Sequence, residues 1–182
     1  MSKVDEIRRL FKEASDRYGQ IDILVNNAGI AVQSTIAETT ESDYEKVFAV
    51  NVKGVLFALQ EATKYIQDGG RIINVSSSTT VYPSPGLAVY AASKAAEKIF
   101  TEVLAQEIGD REITVNSIMP GPTIPGMFAG VDTETQKQAA KLSPFNRLGK
   151  PQDIADVVAF LVSEEARWIT GQHILVNGGA TM

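Results

Sequence analysis

The chain has 182 residues and 19.6 kDa, which predicts one domain spanning residues 1–182, large enough to bury a core without disulfide or metal staples. Seventeen Lys and Arg against 22 Asp and Glu leave a net charge of −5, so there is no basic surplus for nucleic acid or an anionic membrane. With no cysteine and one histidine, His173, the sequence excludes a disulfide framework, a cysteine nucleophile, a Cys/His zinc site and an iron–sulfur cluster. Acid–base chemistry then falls mainly to Tyr, Lys, Asp, Glu or Ser.

Lys3 to Tyr18 reads as an amphipathic helix, with Val4, Ile7, Leu10, Phe11 and Ala14 at three- and four-residue spacing and Gly19 as its stop. Ile21 to Val25 is a β-branched run without alternation, the pattern of a strand covered on both faces. A polar loop leads to a long helix from about Ser42 to Gln67, with Ser42 and Glu45 spaced as a capping box. Gly69-Gly70 breaks the chain before a second strand, Arg71 to Val75, and a Ser-, Thr- and Pro-rich loop, Ser76 to Gly86. Leu87 to Ile108 is a long helix and Ile113 to Met119 a third strand. A proline-rich loop, Pro120 to Pro125, a weak helix over residues 132–142 and a helix opened by Pro151 follow. Gln172 to Val176 is the fourth strand. Strands alternating with helices predict an α/β architecture with a mostly parallel sheet and right-handed crossovers. Trp168 is expected to pack at the last helix–strand junction. The first twenty residues are charge-rich without an apolar run, and no stretch approaches the ~20 apolar residues of a membrane span, so a cytoplasmic chain is expected.

Tyr90 and Lys94 stand four apart on a helix and share a face. About 0.3 such pairs are expected by chance in this composition, so the pair alone is weak. Ser76, Ser77 and Ser78 add weight, because they end the second strand at the carboxyl edge of the predicted sheet, where ligands bind in open α/β folds. The helix carrying Tyr90 starts at the same edge. The run also fits a solvated loop, and Ser76 or Ser78 is assigned to that alternative. His173 reads as a structural or surface residue.

These residues carry a specific resemblance. Asn26-Asn27-Ala28-Gly29 after a strand, Asn51-Val52-Lys53-Gly54 in the long helix, Ser77 thirteen residues before Tyr90, and Tyr90-Ala91-Ala92-Ser93-Lys94 appear in order. So do Asn116, Pro120-Gly121-Pro122-Thr123, Gly149-Lys150-Pro151-Gln152-Asp153-Ile154-Ala155 and Ile169-Thr170-Gly171-Gln172 through Gly178-Gly179. Over nearly the whole chain the sequence resembles the short-chain dehydrogenase/reductase family, nearest in pattern to 3-oxoacyl-carrier-protein reductase-like members.

The resemblance implies a Rossmann-like, doubly wound parallel sheet with flanking helices and an oxidoreductase interconverting a carbonyl and a secondary alcohol with NAD or NADP. It implies catalytic roles for Asn51, Ser77, Tyr90 and Lys94. Tyr90 moves the proton, Ser77 binds the substrate oxygen and Asn51 anchors a water that relays protons. Lys94 holds the nicotinamide ribose and, by its charge, pulls the phenol below its usual pKa of ~10. Asn51 as a helix-kink residue bonding backbone is the alternative, and the two are compatible. Cofactor contacts carry over to Asn26, Asn27, Ala28, Gly29, Tyr90, Lys94, Pro120, Gly121 and Thr123. Pro125 stands where many relatives have a threonine.

No Gly-x-Gly spacing occurs among the 14 glycines. The resemblance therefore implies an N-terminally truncated fold lacking on the order of 60 residues, with Ile21–Val25 left at a sheet edge and weakened cofactor binding. The choice between NAD and NADP lies in that segment. Expected partners are a small carbonyl or alcohol substrate and further copies of the chain, as a homodimer or homotetramer, with neither nucleic acid nor membrane. A non-catalytic protein that keeps only the oligomer surfaces is the alternative reading.

Overall fold

A computed structural model of the chain describes residues 2–180. Four strands, β1 (Ile21–Asn26), β2 (Ile66–Val75), β3 (Thr114–Pro120) and β4 (His173–Val176), form a parallel sheet in the order β1-β2-β3-β4. Six α-helices accompany them: α1 (Val4–Tyr18), α2 (Glu41–Phe48), α3 (Gly54–Tyr65), α4 (Ala88–Glu107), α5 (Thr133–Leu142) and α6 (Pro151–Leu161). Parallel neighbours require crossovers, and each crossover here contains helix.

The two faces of the sheet are covered by different cores. Ile7 and Phe11 of α1, Val55, Ala58, Leu59 and Ala62 of α3, and Leu104 and Ala105 of α4 pack on Ile72 and Val115. On the other face, Leu161, Ile154 and Val157 of α6 meet Ile73, Ile118 and Ile174. Burying an Ile, Leu or Phe side chain contributes about 1.5–3 kcal/mol, so the two clusters supply the main drive for folding. The predicted α/β, doubly wound arrangement is the one found. β1 lies at the sheet edge, where Ile23 and Val25 remain 46% and 40% exposed.

Several boundaries differ from the sequence reading. The long helix from Ser42 to Gln67 is three pieces: α2, a π-helical turn over Ala49–Lys53, and α3. Its N-cap is Thr40, whose Oγ1 accepts from the Asp43 amide (3.1 Å); the cap thus sits two residues before the predicted Ser42–Glu45 pair. Its end is set from afar, because the Arg111 guanidinium donates to the carbonyls of Thr63 (2.8 Å) and Ile66 (2.6 Å). β2 therefore opens at Ile66, which pairs with Ile21, and a register shift separates that pair from Ile23↔Arg71. Trp168 is 97% exposed rather than packed, while Leu161 and Ala166 nearby in sequence are fully buried. No described helix is long and apolar enough to cross a membrane.

Candidate active site

All four strands run the same way, so Asn26, Val75, Pro120 and Val176 end on one edge of the sheet. Ser76, Ser77 and Ser78 follow β2, and all three are buried, which corrects the solvated-loop reading. Burial is tolerated because their polar groups find protein partners. The Ser76 hydroxyl donates to the Lys94 carbonyl (2.8 Å), tying the strand end to α4. Ser77 opens a short 3₁₀ turn, Ser78–Thr80; its Oγ accepts from the Thr79 amide (3.2 Å) and the Thr79 hydroxyl (2.9 Å). Ser77 also acts on the Tyr90 phenol, favouring its ionised form.

α4 supplies a buried polar stripe at helical spacing: Tyr90, Ser93, Lys94, Glu97 and Thr101. The Lys94 ammonium donates to the Val75 carbonyl (2.8 Å) and to Glu97 Oε1 (2.7 Å). Glu97 is 0% exposed, and its second oxygen has no hydrogen-bond partner among the described residues. Burial pushes the Glu97 carboxyl up to about 7, against the opposing pull of Lys94. Burial likewise raises the Tyr90 phenol above its ordinary value of 10.0; Ser77 works against this and the Glu97 charge adds to it. The depression of Tyr90 by Lys94 expected from the sequence is thus not produced. The ammonium is bound to a carboxylate, and the charge that acts on the phenol is that of Glu97.

Asn51 sits fully buried in the π-helical turn. Its amide donates to the Ile30 carbonyl (2.8 Å) and to Ser93 Oγ (3.0 Å), and its Oδ1 accepts from the Ile30 amide (2.9 Å). Ser93 Oγ in turn donates to the Tyr90 carbonyl (2.7 Å). One side chain thus locks the loop after β1 to the start of α4, which is the backbone-bonding role weighed for Asn51. π-bulges of this kind often occur at functional sites.

The loop after β1 is shaped by close approach. A Cβ on Gly29 would stand 3.1 Å from Lys94 Nζ and 3.6 Å from Asn51 Oδ1, so glycine leaves open the space both groups face. Asn27 and Ala28 are exposed beside it. Asn26 is buried and donates to Asn74 Oδ1 (2.9 Å), so its side chain is a strut between β1 and β2. After β3, the Thr123 hydroxyl donates to the Gly121 carbonyl (2.9 Å), and a Cβ on Gly121 would collide with Asn177 at 2.7 Å. Gly121, Pro122 and Thr123 border a cavity of about 110 Å³ with Phe145, Arg147 and Asn177. Asn116 is spent on structure, donating to the Ile169 carbonyl (2.7 Å) and accepting from the Gln172 amide (3.0 Å).

His173 bridges Ser117 Oγ (2.7 Å, from Nδ1) and Glu102 Oε1 (2.7 Å, from Nε2), a serine–histidine–carboxylate series. Ser117 is fully buried and offers no path to a substrate, so the series is a clasp between β4, β3 and α4. Ser77, Tyr90, Lys94, Asn51 and Gly29 are brought together; Asn26 and Asn116 are not open to a ligand. Glu97 was not singled out by the sequence reading. Its local signal was only a charge three residues after Lys94 on α4.

A family model described as Enoyl-(Acyl carrier protein) reductase matches residues 1–181. A short-chain type dehydrogenase/reductase of Picea abies is 40% identical over 184 residues, covering 98% of this chain and 68% of that protein. The chain belongs to the short-chain dehydrogenase/reductase family. Versicolorin reductase of Emericella nidulans is 40% identical over 189 residues, covering 97% of this chain and 72% of that protein. Among solved structures, a family member from Serratia marcescens matches with TM-score 0.94 at 36% identity, covering 100% of this chain and 74% of that one. An angucycline C-6 ketoreductase with bound NADP matches with TM-score 0.90 at 41% identity, covering 97% and 70%. Membership makes this an enzyme of the dehydrogenase/reductase type.

Proposed function

We propose that the chain interconverts a carbonyl and a secondary alcohol, with NAD or NADP as hydride carrier, through Ser77, Tyr90, Lys94 and Asn51. The observation that carries this reading is the buried Tyr90 phenol, with Lys94 one helical turn on and Ser77 buried just after β2, at the carboxyl edge of a parallel sheet. A relative named as a ketoreductase supports the reaction class, and neighbours with NADP or NADPH bound support the cofactor class.

The residues present fit a nicotinamide dinucleotide. Gly29 keeps the floor clear over Lys94 and Asn51, and exposed Asn27 and Ala28 border the adenosine side. On the nicotinamide side stand Pro120, Gly121 and Thr123, whose hydroxyl spends its proton on Gly121 and keeps lone pairs for a carboxamide N–H. When bound, the cofactor supplies or accepts the hydride at the substrate carbon. In reduction, Tyr90 releases its phenolic proton to the carbonyl oxygen, completing the hydroxyl. Ser77 donates a hydrogen bond to that oxygen as negative charge develops on it. Lys94 and Asn51 fix the ribose side and the route by which Tyr90 regains a proton. In oxidation Tyr90 acts as the base. The apolar side chains of the 122–147 segment, Phe128 and Phe145 among them, supply substrate contacts.

The test is ketone reduction followed by loss of reduced-nicotinamide absorbance, with NADPH or NADH raised to millimolar concentration. Tyr90→Phe is expected to lower kcat/KM by about 100-fold or more while circular dichroism is unchanged. Equal turnover by the Phe variant overturns the reading.

A further inference from the structure

We propose that Glu97 is a positioning residue of the Tyr90–Lys94 pair: its carboxylate holds the Lys94 ammonium toward the core and offsets its charge, so that Tyr90 keeps its proton and the site favours carbonyl reduction over alcohol oxidation. The proposal rests on the reading of Tyr90 as the proton donor.

The geometry is specific. Glu97 Oε1 is 2.7 Å from Lys94 Nζ, and the two side chains are 0% and 3% exposed. A carboxylate in that position is expensive, because burial removes its hydration and one oxygen is left without a partner. The cost is not repaid by packing. The neighbouring positions of the same stripe, Thr101, Leu104 and Ala105, show that uncharged residues fit this face of α4. What the carboxylate adds is a second charge beside the first. The ammonium alone would favour the phenolate; the carboxylate opposes it. Burial and the Glu97 charge act on Tyr90 in the same direction.

Among the described residues, Lys94 is the charge that acts on Glu97. The elements packed against α4 bring neutral groups to the buried layer: Asn74 and the Val75 carbonyl from β2, Asn116 and Ser117 from β3, Asn51 from the π-helical turn, and Ser77 and Ser78 after β2. On α2, Glu41, Glu45 and Lys46 are exposed and Asp43 is engaged at the cap. Glu61 of α3 is taken by Lys64, Arg111 beyond α4 by Asp68, and Glu102 of α4 by His173; Lys98 is half-exposed.

The experiment titrates Tyr90 in the full chain by phenolate difference absorbance, with Tyr90→Phe subtracted, in the wild type and in Glu97→Gln. Removing the negative charge lowers the Tyr90 midpoint, by about one pH unit or more. The alkaline limb of ketone reduction and the acid limb of alcohol oxidation then move to lower pH together, and Glu97→Asp moves them back. A purely structural Glu97 lowers the melting temperature and scales both rates without moving either limb, which overturns the proposal. Should Glu97→Gln not fold, the same titration is made in Glu97→Met, an uncharged residue of similar length. A lowered Tyr90 midpoint supports the proposal, and an unmoved midpoint sinks it. A midpoint that moves in a chain without turnover supports the coupling and overturns the catalytic reading of Tyr90. Turnover with unmoved midpoints overturns the Glu97 proposal alone.

Discussion

Burial makes ionising Glu97 costly, and this gives stability a pH slope opposite to that of a carboxylate whose pKa is depressed by pairing. The folded pKa of Glu97 is about 7 against an ordinary value of 4.5, so between those values the native chain binds more protons than the unfolded chain. Stability from this group is full below about 4.5 and is lost as pH rises toward 7, by on the order of 3 kcal/mol. Urea unfolding of the wild type and of Glu97→Gln, measured from pH 4.5 to 8, isolates the contribution. The difference between the two stability curves is expected to change across that window in favour of the variant at high pH. Parallel curves would show that Glu97 ionises in the fold as it does in water. Ser77, Tyr90, Lys94 and Asn51 were legible as candidates because their types, order and spacing match a family pattern. Glu97 was not, because only three-dimensional packing shows that the face of α4 at residue 97 is closed to solvent.

The start of α6 depends on one carboxylate that serves three donors. Asp153 accepts from the Lys150 amide (2.7 Å) and from both Arg147 Nη atoms (2.6 and 2.9 Å), binding the loop beside the cavity to the helix. The Arg147 guanidinium and the Lys150 amide hold its pKa down at about 2. Asp153→Asn keeps the shape and removes the charge-assisted fork, which is expected to lower the melting midpoint by a few degrees at pH 7. The sign with pH follows from the depressed pKa: the contribution is present above about 4 and lost as pH falls toward 2, where wild type and variant converge. A gap that persists at pH 2 counts against this account. At this scale the alternation of helix and strand was readable throughout, since hydrophobic period and glycine or proline punctuation are local. The boundaries that shifted were set by distant partners. Arg111 closes α3 from 45 residues or more downstream, and Asn51 bends its helix to reach Ile30 and Ser93. No local window contains those contacts.

For the whole molecule, the exposed apolar residues decide what the chain does with its neighbours. Ile99 and Val103, one turn apart on α4, and Leu56 on α3 are each about half exposed, although both helices bury their other faces against the sheet. Tyr44, stacked on Phe48 at 4.3 Å, extends the apolar surface on α2. These exposed residues lie on α2, α3 and α4. Half-exposed aliphatic residues on adjacent helices favour association over solvation. The chain is therefore expected to run as a dimer or tetramer in light scattering at tens of micromolar. Ile99→Glu with Val103→Lys is expected to shift it toward monomer while far-UV circular dichroism is retained, because both side chains lie outside the two cores. A wild type that scatters as a monomer would refute the assignment. A double variant that stays oligomeric would move the interface to the other exposed apolar surfaces, Phe160 with Trp168 or the β1 edge at Ile23 and Val25. Association through α4 also bears on the site, since the helix that carries Tyr90, Lys94 and Glu97 on its buried face would then be clamped on its outer face as well.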